Sequence, residues 1–260
     1  MSKRPLILVT NDDGVTAKGI NSLVEVAKKF GDVIVVAPDK PQSAMGHAIT
    51  INSILHVNEV SENGNVKTLS TSGTPVDCVK LAVNEILDRK PDLVVSGINH
   101  GSNASINVIY SGTMSAAVEA CIEGIPAIGF SLLDYSADAD FTASKHFAEL
   151  IIPHVLENGL PSGICLNVNI PKLPLNEVKG IKICHQANAN WEEKFDKRTN
   201  PSGHVYYWLT GDFVNYEVGD DTDLWALDHG YVSVVPTQFD MTAHDSINDM
   251  TKLFNHVGKG

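Results

Sequence analysis

Two adjacent carboxylates, Asp12 and Asp13, stand where the apolar run 6–9 gives way through Thr10 and Asn11 to Gly14. Side by side they repel, so the double anion is favoured only with a cation or a proton between them. A hard divalent ion such as Mg²⁺ or Mn²⁺ takes oxygen donors of this kind. The other reading of the stretch is a solvated Asp-Gly turn. More oxygen donors follow in two later loops, Ser43 in 38–47 and Asn99 with Asn103 in 96–103. Singly, Ser43 is a loop serine and Asn99 a residue that could cap a turn. Ser111-Gly112-Thr113 precedes a helical pattern, where unpaired backbone N–H groups and the helix dipole favour a phosphate. Simple N-capping by Thr113 is the alternative there. A cation site and an anion cradle on one edge would together suit hydrolysis of a phosphate ester.

These loops need a scaffold that brings them to one edge. Residues 6–9, 33–37 and 93–95 are apolar without alternation, which suits strands of a parallel sheet covered on both faces. Between the first two, Ile20, Leu23, Val24, Ala27 and Phe30 keep helical spacing and Gly31 closes the helix. Strand–helix–strand in about thirty residues is a parallel crossover unit. In open α/β sheets ligands bind at the carboxyl ends of the strands, where all of the loops above emerge. Asp12 and Asp13 would project oppositely from a regular strand, and Asn11 with Gly14 supplies the turn that lets both face one ion.

Short β-like pieces at 49–51, 55–57 and 66–69 suggest an antiparallel excursion. Thr74-Pro75-Val76-Asp77 reads as a helix start with cap, N1 proline and N3 carboxylate, followed by a stripe of Val76, Val79, Val83, Ile86 and Leu87. Helices are expected again from Met114 and around Phe147–Val155, with strands at 125–130 and 165–170. Pro153 lies inside the second of these helices. From 186 to 219 the chain turns polar and aromatic, and Asn200-Pro201-Ser202-Gly203 marks a hairpin arm carrying Trp191, Tyr206, Tyr207 and Trp208. Its aromatics either pack against another subunit or fold back as a local cluster. A short helix from Asp223, a strand at 231–235 and a helix from Ser246 to Phe254 complete the chain. The division expected is a catalytic core over 1–185, then the arm and a C-terminal segment over 186–260 that is not an independent domain.

With 19 basic and 31 acidic residues among 260, the formal charge is −12 and no block of like charge occurs. That argues against a nucleic-acid polymer or a membrane surface as partner. Cys78, Cys121, Cys165 and Cys184 lie far apart in apolar surroundings and read as small core residues in a reducing compartment. The start, 1–5, is followed by too few apolar residues for a signal peptide, and no stretch is long enough to span a membrane, so a cytoplasmic location is expected. The P-loop, G-x-G-x-x-G after a strand, G-x-S-x-G and H-E-x-x-H are absent. Aspartyl-phosphate phosphatases need two aspartates one residue apart, a pattern the adjacent pair does not meet. His47 and His100 sit in the relevant loops and read as solvent-facing or turn residues.

Five ordered motifs carry a resemblance: Val9-Thr10-Asn11-Asp12-Asp13-Gly14; Ala37-Pro38-Asp39 with Ser43; Gly73-Thr74-Pro75-Val76-Asp77-Cys78; Ser96-Gly97-Ile98-Asn99-His100-Gly101-Ser102-Asn103; and Tyr110-Ser111-Gly112-Thr113. Together with 222–227 and 230–234 they resemble the SurE family, stationary-phase survival proteins that act as 5'/3'-nucleotidases. The resemblance implies a phosphomonoesterase acting on nucleoside monophosphates, with short polyphosphate as a further substrate in some members. It implies one divalent cation per subunit, Mg²⁺ or Mn²⁺, held by Asp12, Asp13, Ser43 and Asn99. Asn103, Ser111, Gly112 and Thr113 would contact phosphate. Asp12 and Asp13 would be catalytic, Asp13 as general base unless a water held by the metal needs none. The implied fold is a Rossmann-like three-layer α/β sandwich with a mostly parallel sheet, a projecting hairpin and an exchanged C-terminal segment, assembled as a homodimer or homotetramer. Ala44, where glycine is common, and Met114-Ser115, where Val-Gly is common, depart from the pattern and bear on substrate preference. A nucleotide- or metal-binding regulator without turnover, and a phosphatase of sugar phosphates or polyphosphate, are the competing functions.

Overall fold

The computed structural model describes residues 4–63, 66–255 and 257; Met1, Ser2 and Lys3, part of the start read above for a leader, lie outside them. In chain order the strands are β1 (Leu6–Thr10), β2 (Asp32–Pro38), β3 (Val57–Asn63), β4 (Val66–Thr71), β5 (Leu93–His100), β6 (Ala127–Leu132), β7 (Ile164–Ile170), β8 (Ile181–Ile183), β9 (Ala189–Thr199), β10 (Val205–Asn215) and β11 (Val232–Gln238). The α-helices are α1 (Lys18–Ala27), α2 (Pro75–Leu81), α3 (Asn107–Tyr110), α4 (Gly112–Ile122), α5 (Thr142–Asn158), α6 (Asp223–Asp228) and α7 (Ile247–Phe254).

One sheet of nine strands runs in the order β3-β4-β2-β1-β5-β6-β7-β11-β8. From β4 to β7 every pairing is parallel, while β3 on β4 and β11 on β7 are antiparallel. The chain leaves β1 to one side for β2 and later returns to its other side as β5. That reversal is the topological switch point, where a crevice opens at the carboxyl ends of the two central strands.

Alternate residues of the central strands feed two separate cores, because successive side chains point to opposite faces. Ile7, Val9, Val95 and Phe130 meet Ile20 and Leu23 of α1 and Ile152 of α5 on one face. Leu8, Val36 and Val94 meet Cys78 and Val79 of α2 and Met114 and Ala117 of α4 on the other. All four cysteines are buried and free, and burial pushes the Cys78 thiol up to about 12, so they are core-filling side chains. The capping box of α2 forms as its sequence dictates: Thr74 Oγ1 accepts from Asp77 N–H at 3.1 Å and the Asp77 carboxylate accepts from Thr74 N–H at 2.9 Å.

Several elements differ from the sequence expectation. The apolar pieces at 49–51 and 55–56 form no strand; Ile51 is 76 % exposed, so its apolar character meets no core. The excursion is instead β3 folded back on β4. Within the loop after β5 the short helix α3 forms, and β5 itself continues to His100. The three-residue β8 gives too short a pattern to be read as a strand. β9 and β10 pair only with each other, from Ala189↔Asn215 to Thr199↔Val205, and form the arm. Among the described residues no helix is long and apolar enough to cross a membrane.

Candidate active site at the switch point

The chain turns sharply as it leaves β1. Asn11 Nδ2 donates to Gly14 O at 2.9 Å, and Gly14 takes φ +98°, a left-handed conformation that favours glycine. The turn delivers both acids to one place. Asp12, Asp13, Ser43, Asn99, Asn103 and Ser111 all line a single cleft of about 360 Å³ at the carboxyl edge. Gly112 and Thr113 stand behind it, against Asp12.

Asp12 is buried and Asp13 half-buried. Thr113 Oγ1 donates to Asp12 Oδ1 at 2.5 Å, so this hydroxyl orients the carboxylate and does not cap the helix. The cap of α4 is Ser111, whose Oγ accepts from Met114 N–H at 3.0 Å. Gly112 permits the close approach of helix and acid: a Cβ there would lie 2.7 Å from Asp12 Cβ and 2.9 Å from its Oδ2. Asp13 Oδ2 accepts from His100 N–H at 3.3 Å. Burial, and then the charge of Asp13, pushes the Asp12 carboxyl up to about 6 even though Thr113 favours its anion. Burial likewise raises Asp13.

The Ser43 loop is tied to this centre at three points. Gln42 N–H donates to Asp12 O at 2.7 Å and Gly46 N–H to Tyr110 O at 3.2 Å. His47 Nε2 meets Glu119 Oε2 at 2.8 Å, and Lys80 Nζ reaches the other carboxylate oxygen at 2.5 Å. His47 and Lys80 hold the buried Glu119 carboxyl below its ordinary range although burial opposes them. On β5 the register slips against β6 between Ser96 and Asn99, an irregularity that re-aims the strand end beside the site. Asn99 Nδ2 then donates to Gly101 O at 3.0 Å, which leaves its Oδ1 as the uncommitted end.

Asn103 sits in a buried amide network. Its N–H donates to Asn169 Oδ1 at 2.8 Å, its Nδ2 to Ser131 Oγ at 2.6 Å, and its carbonyl accepts from Asn167 Nδ2 at 2.8 Å. Sequence reasoning missed these partners, although two asparagines at i and i+2 in the buried strand β7 were a visible signal. It also missed Asp223, whose carboxylate accepts from the N–H groups of Ser105 at 2.7 Å and Ala187 at 3.0 Å. Ser105 Oγ donates to Ala187 O at 2.8 Å. The root of the arm is thereby fastened to the loop that lines the cleft. Nothing local distinguishes Asp223 from an ordinary acid in a first helical turn.

The donor set suits a hard cation. Two carboxylates, a hydroxyl and an amide oxygen meet where burial disfavours uncompensated negative charge. The cleft lining contains no lysine or arginine, and among its side chains only His100 favours the Asp13 anion by its charge. Among the described residues no three His, Cys, Asp or Glu side chains are grouped to hold a metal ion, so the two carboxylates depend on the hydroxyl and amide oxygens to complete a donor set.

A family model described as "Survival protein SurE" matches residues 7–193. The chain is 68 % identical over 251 residues to the protein named 5'-nucleotidase SurE of Christiangramia forsetii, covering 96 % of each. It is 47 % identical over 250 residues to that of Bacteroides thetaiotaomicron, again covering 96 % of each. Its structure matches the crystal structure of the Sure protein from Aquifex aeolicus with a TM-score of 0.83 at 39 % identity, covering 96 % of this chain and 99 % of that one. Fold, ordered motifs and relatives agree, and the chain belongs to the SurE family.

Proposed function

We propose that the chain is a divalent-metal-dependent 5'-nucleotidase that hydrolyses nucleoside monophosphates to nucleoside and phosphate. The observation that carries this reading is the gathering of Asp12, Asp13, Ser43 and Asn99 in one cleft beside the N-terminus of α4. The names of the relatives supply the substrate class. Asp12, Asp13, Ser43 and Asn99 would hold one Mg²⁺ or Mn²⁺ per subunit. When bound, the cation supplies polarisation of a phosphoryl oxygen and counter-charge for the two acids.

The chain's own residues do the rest. Ser111 and the first N–H groups of α4 receive the phosphoryl oxygens, with the dipole of an eleven-residue helix behind them. Asn103 keeps one Nδ2 hydrogen beyond its bond to Ser131 and donates it toward the phosphate. Thr113 is a positioning residue that holds Asp12 Oδ1. Asp13 uses Oδ2 to accept from His100, leaving Oδ1 to take a proton from the attacking water. The P–O ester bond breaks as the new P–O bond forms, and the nucleoside oxygen leaves with a proton from solvent. Short polyphosphate ends in the same dianionic group and is a side substrate of the same site.

The subunit is a homodimer or homotetramer in this reading. Support comes from exposed apolar side chains on the arm, such as Phe195 and Trp208, and from Ile247, Met250, Leu253 and Phe254 on α7. The test is a phosphate-release panel of 5'- and 3'-nucleotides, sugar phosphates and polyphosphate, each with Mg²⁺, Mn²⁺ or chelator. Release from 5'-nucleotides that stops in chelator is expected. Equal rates in chelator overturn the metal dependence, and nucleotide binding without release over hours favours a regulator instead.

A further inference from the structure

The sheet changes character on one face toward its carboxyl edge. Val168 and Ile170 of β7 turn into the core shared with α1 and α5. Asn167 and Asn169 therefore point the other way, to the side where Cys165 joins the second core with α4. Ser131 of β6 and Ser233 of β11 stand in register with Asn169 on its two flanks. All four are buried, Asn169 completely. Packing of a helix on a sheet is satisfied by apolar residues, and polar side chains in such a place cost free energy unless they are bonded.

The bonds of the two asparagines converge on one residue. Asn169 Oδ1 accepts from Asn103 N–H, Asn167 Nδ2 donates to Asn103 O, and Asn169 Nδ2 donates to Asn167 Oδ1, each at 2.8 Å. These three bonds close a ring through both polar groups of the Asn103 backbone. Ser131 Oγ takes one hydrogen of the Asn103 side chain at 2.6 Å. Residues 101–105 form neither helix nor strand, so the loop has no repeating structure of its own to fix Asn103. Its backbone and its side chain are both set from the sheet beneath.

We propose that Asn169 and Asn167, together with Ser131, are positioning residues for phosphate release. They hold the Asn103 amide so that its second Nδ2 hydrogen points at the phosphoryl group. This inference rests on the nucleotidase reading above and on Asn103 as a phosphate donor within it. A donor fixed before the substrate arrives needs no reorganisation as charge shifts on the phosphoryl oxygens. The buried amides are thereby explained by the reaction and not by the packing of the sheet.

The test is a double-mutant cycle on kcat/KM for adenosine 5'-monophosphate, with Asn169→Ala and Ser131→Ala each made in the wild type and in Asn103→Ala. Losing one bond to Asn103 corresponds to about 2- to 12-fold. Ser131→Ala is expected to lower the wild-type value by about that factor and Asn169→Ala by more, since it opens the ring. In the Asn103→Ala background both are expected to change kcat/KM less than twofold, whereas a merely structural role lowers it equally in the two backgrounds. Calorimetric Mn²⁺ affinity is expected to stay within twofold in Asn169→Ala. Asn169→Ser, whose hydroxyl is too short to span the ring, is the second variant should the alanine not fold, with the same expectations. Equal factors in the two backgrounds overturn the proposal, as does an unchanged kcat/KM at position 169 or a fall in Mn²⁺ affinity that matches the fall in kcat/KM. A wild type that releases no phosphate from the nucleotide overturns the nucleotidase reading itself, and the positioning role falls with it.

Discussion

Replacing Asp12 with asparagine is expected to remove phosphate release and, in chelator, to make the protein more stable. The wild-type carboxyl sits in a buried pocket that moves it from an ordinary 3.8 to about 6. Ionising it inside the fold therefore costs about 3 kcal/mol, at 1.36 kcal/mol for each tenfold change. The sign follows from linkage. A carboxyl raised in the folded state is protonated in both states below about pH 4 and imposes no cost there. Between about pH 4 and 6 the unfolded chain loses the proton first, so metal-free stability falls, and above that range the full cost is present. Asparagine carries no charge, and its Oδ1 still accepts from Thr113. The variant and wild type are thus expected to unfold together at pH 4. At pH 7.5 in chelator they separate by about 3 kcal/mol, roughly 6–10 °C in Tm for a chain of this size. Adding Mn²⁺ at 1,000 times Kd reverses the order, since binding then stabilises the wild type by about 4.1 kcal/mol and the variant far less. Thermal unfolding at the two pH values, with chelator and with Mn²⁺, reads all of this. A variant less stable than wild type at pH 7.5 in chelator refutes the claim that Asp12 is a strained buried anion. Equal Mn²⁺ stabilisation of the two proteins refutes its role as a ligand.

Gly112→Ala places a methyl 2.7 Å from Asp12 Cβ, and relieving that overlap costs about 1–3 kcal/mol; kcat/KM for phosphate release and calorimetric Mn²⁺ affinity are both expected to fall at least tenfold. Asp223→Ala strands the N–H groups of Ser105 and Ala187, a loss of about 3 kcal/mol in urea unfolding at roughly 1–3 kcal/mol for each buried group, accompanied by faster proteolysis at the root of the arm. Glu119→Ala releases His47 and Lys80, but both partners are more than a third exposed, so about 1 kcal/mol of stability is expected to go with a larger fall in metal affinity as the Ser43 loop loosens.

The sheet was legible in sequence where burial is complete. β1, β2 and the first half of β5 lie under helices on both faces, so their apolar runs have no alternation and can be read as central strands. The start of α2 was legible because capping chemistry is local: Thr74, Pro75 and Asp77 do their work within four residues. Edge elements were not legible for the converse reason. Ile49 and Ile51 look like strand residues yet face outward, and a pattern of residue types cannot tell an apolar side chain that meets a core from one left exposed. α3 has four residues in a polar loop, too few for a periodicity to show.

The site divides along the same physical line. Residues that emerge directly from a central strand or open a central helix, Asp12, Asp13, Asn99 and Ser111, follow from the parallel topology, because the crossover rule sends every such loop to the same rim. Ser43 needs one more step, since its loop is placed only when Gln42 bonds to Asp12 and His47 to Glu119. Pairings among the placed residues leave no trace in spacing. Thr113 reads as a cap or a phosphate contact from its position before a helix, and its hydroxyl meets Asp12 only because Gly112 lets two elements 101 residues apart approach. The bond from Asp223 to Ser105 spans 118 residues, and no local signal records it. What sequence conveys is which donors reach the rim. Which of them face the ligand and which hold a neighbour in place is decided by packing, and that packing commits the Thr113 hydroxyl to Asp12.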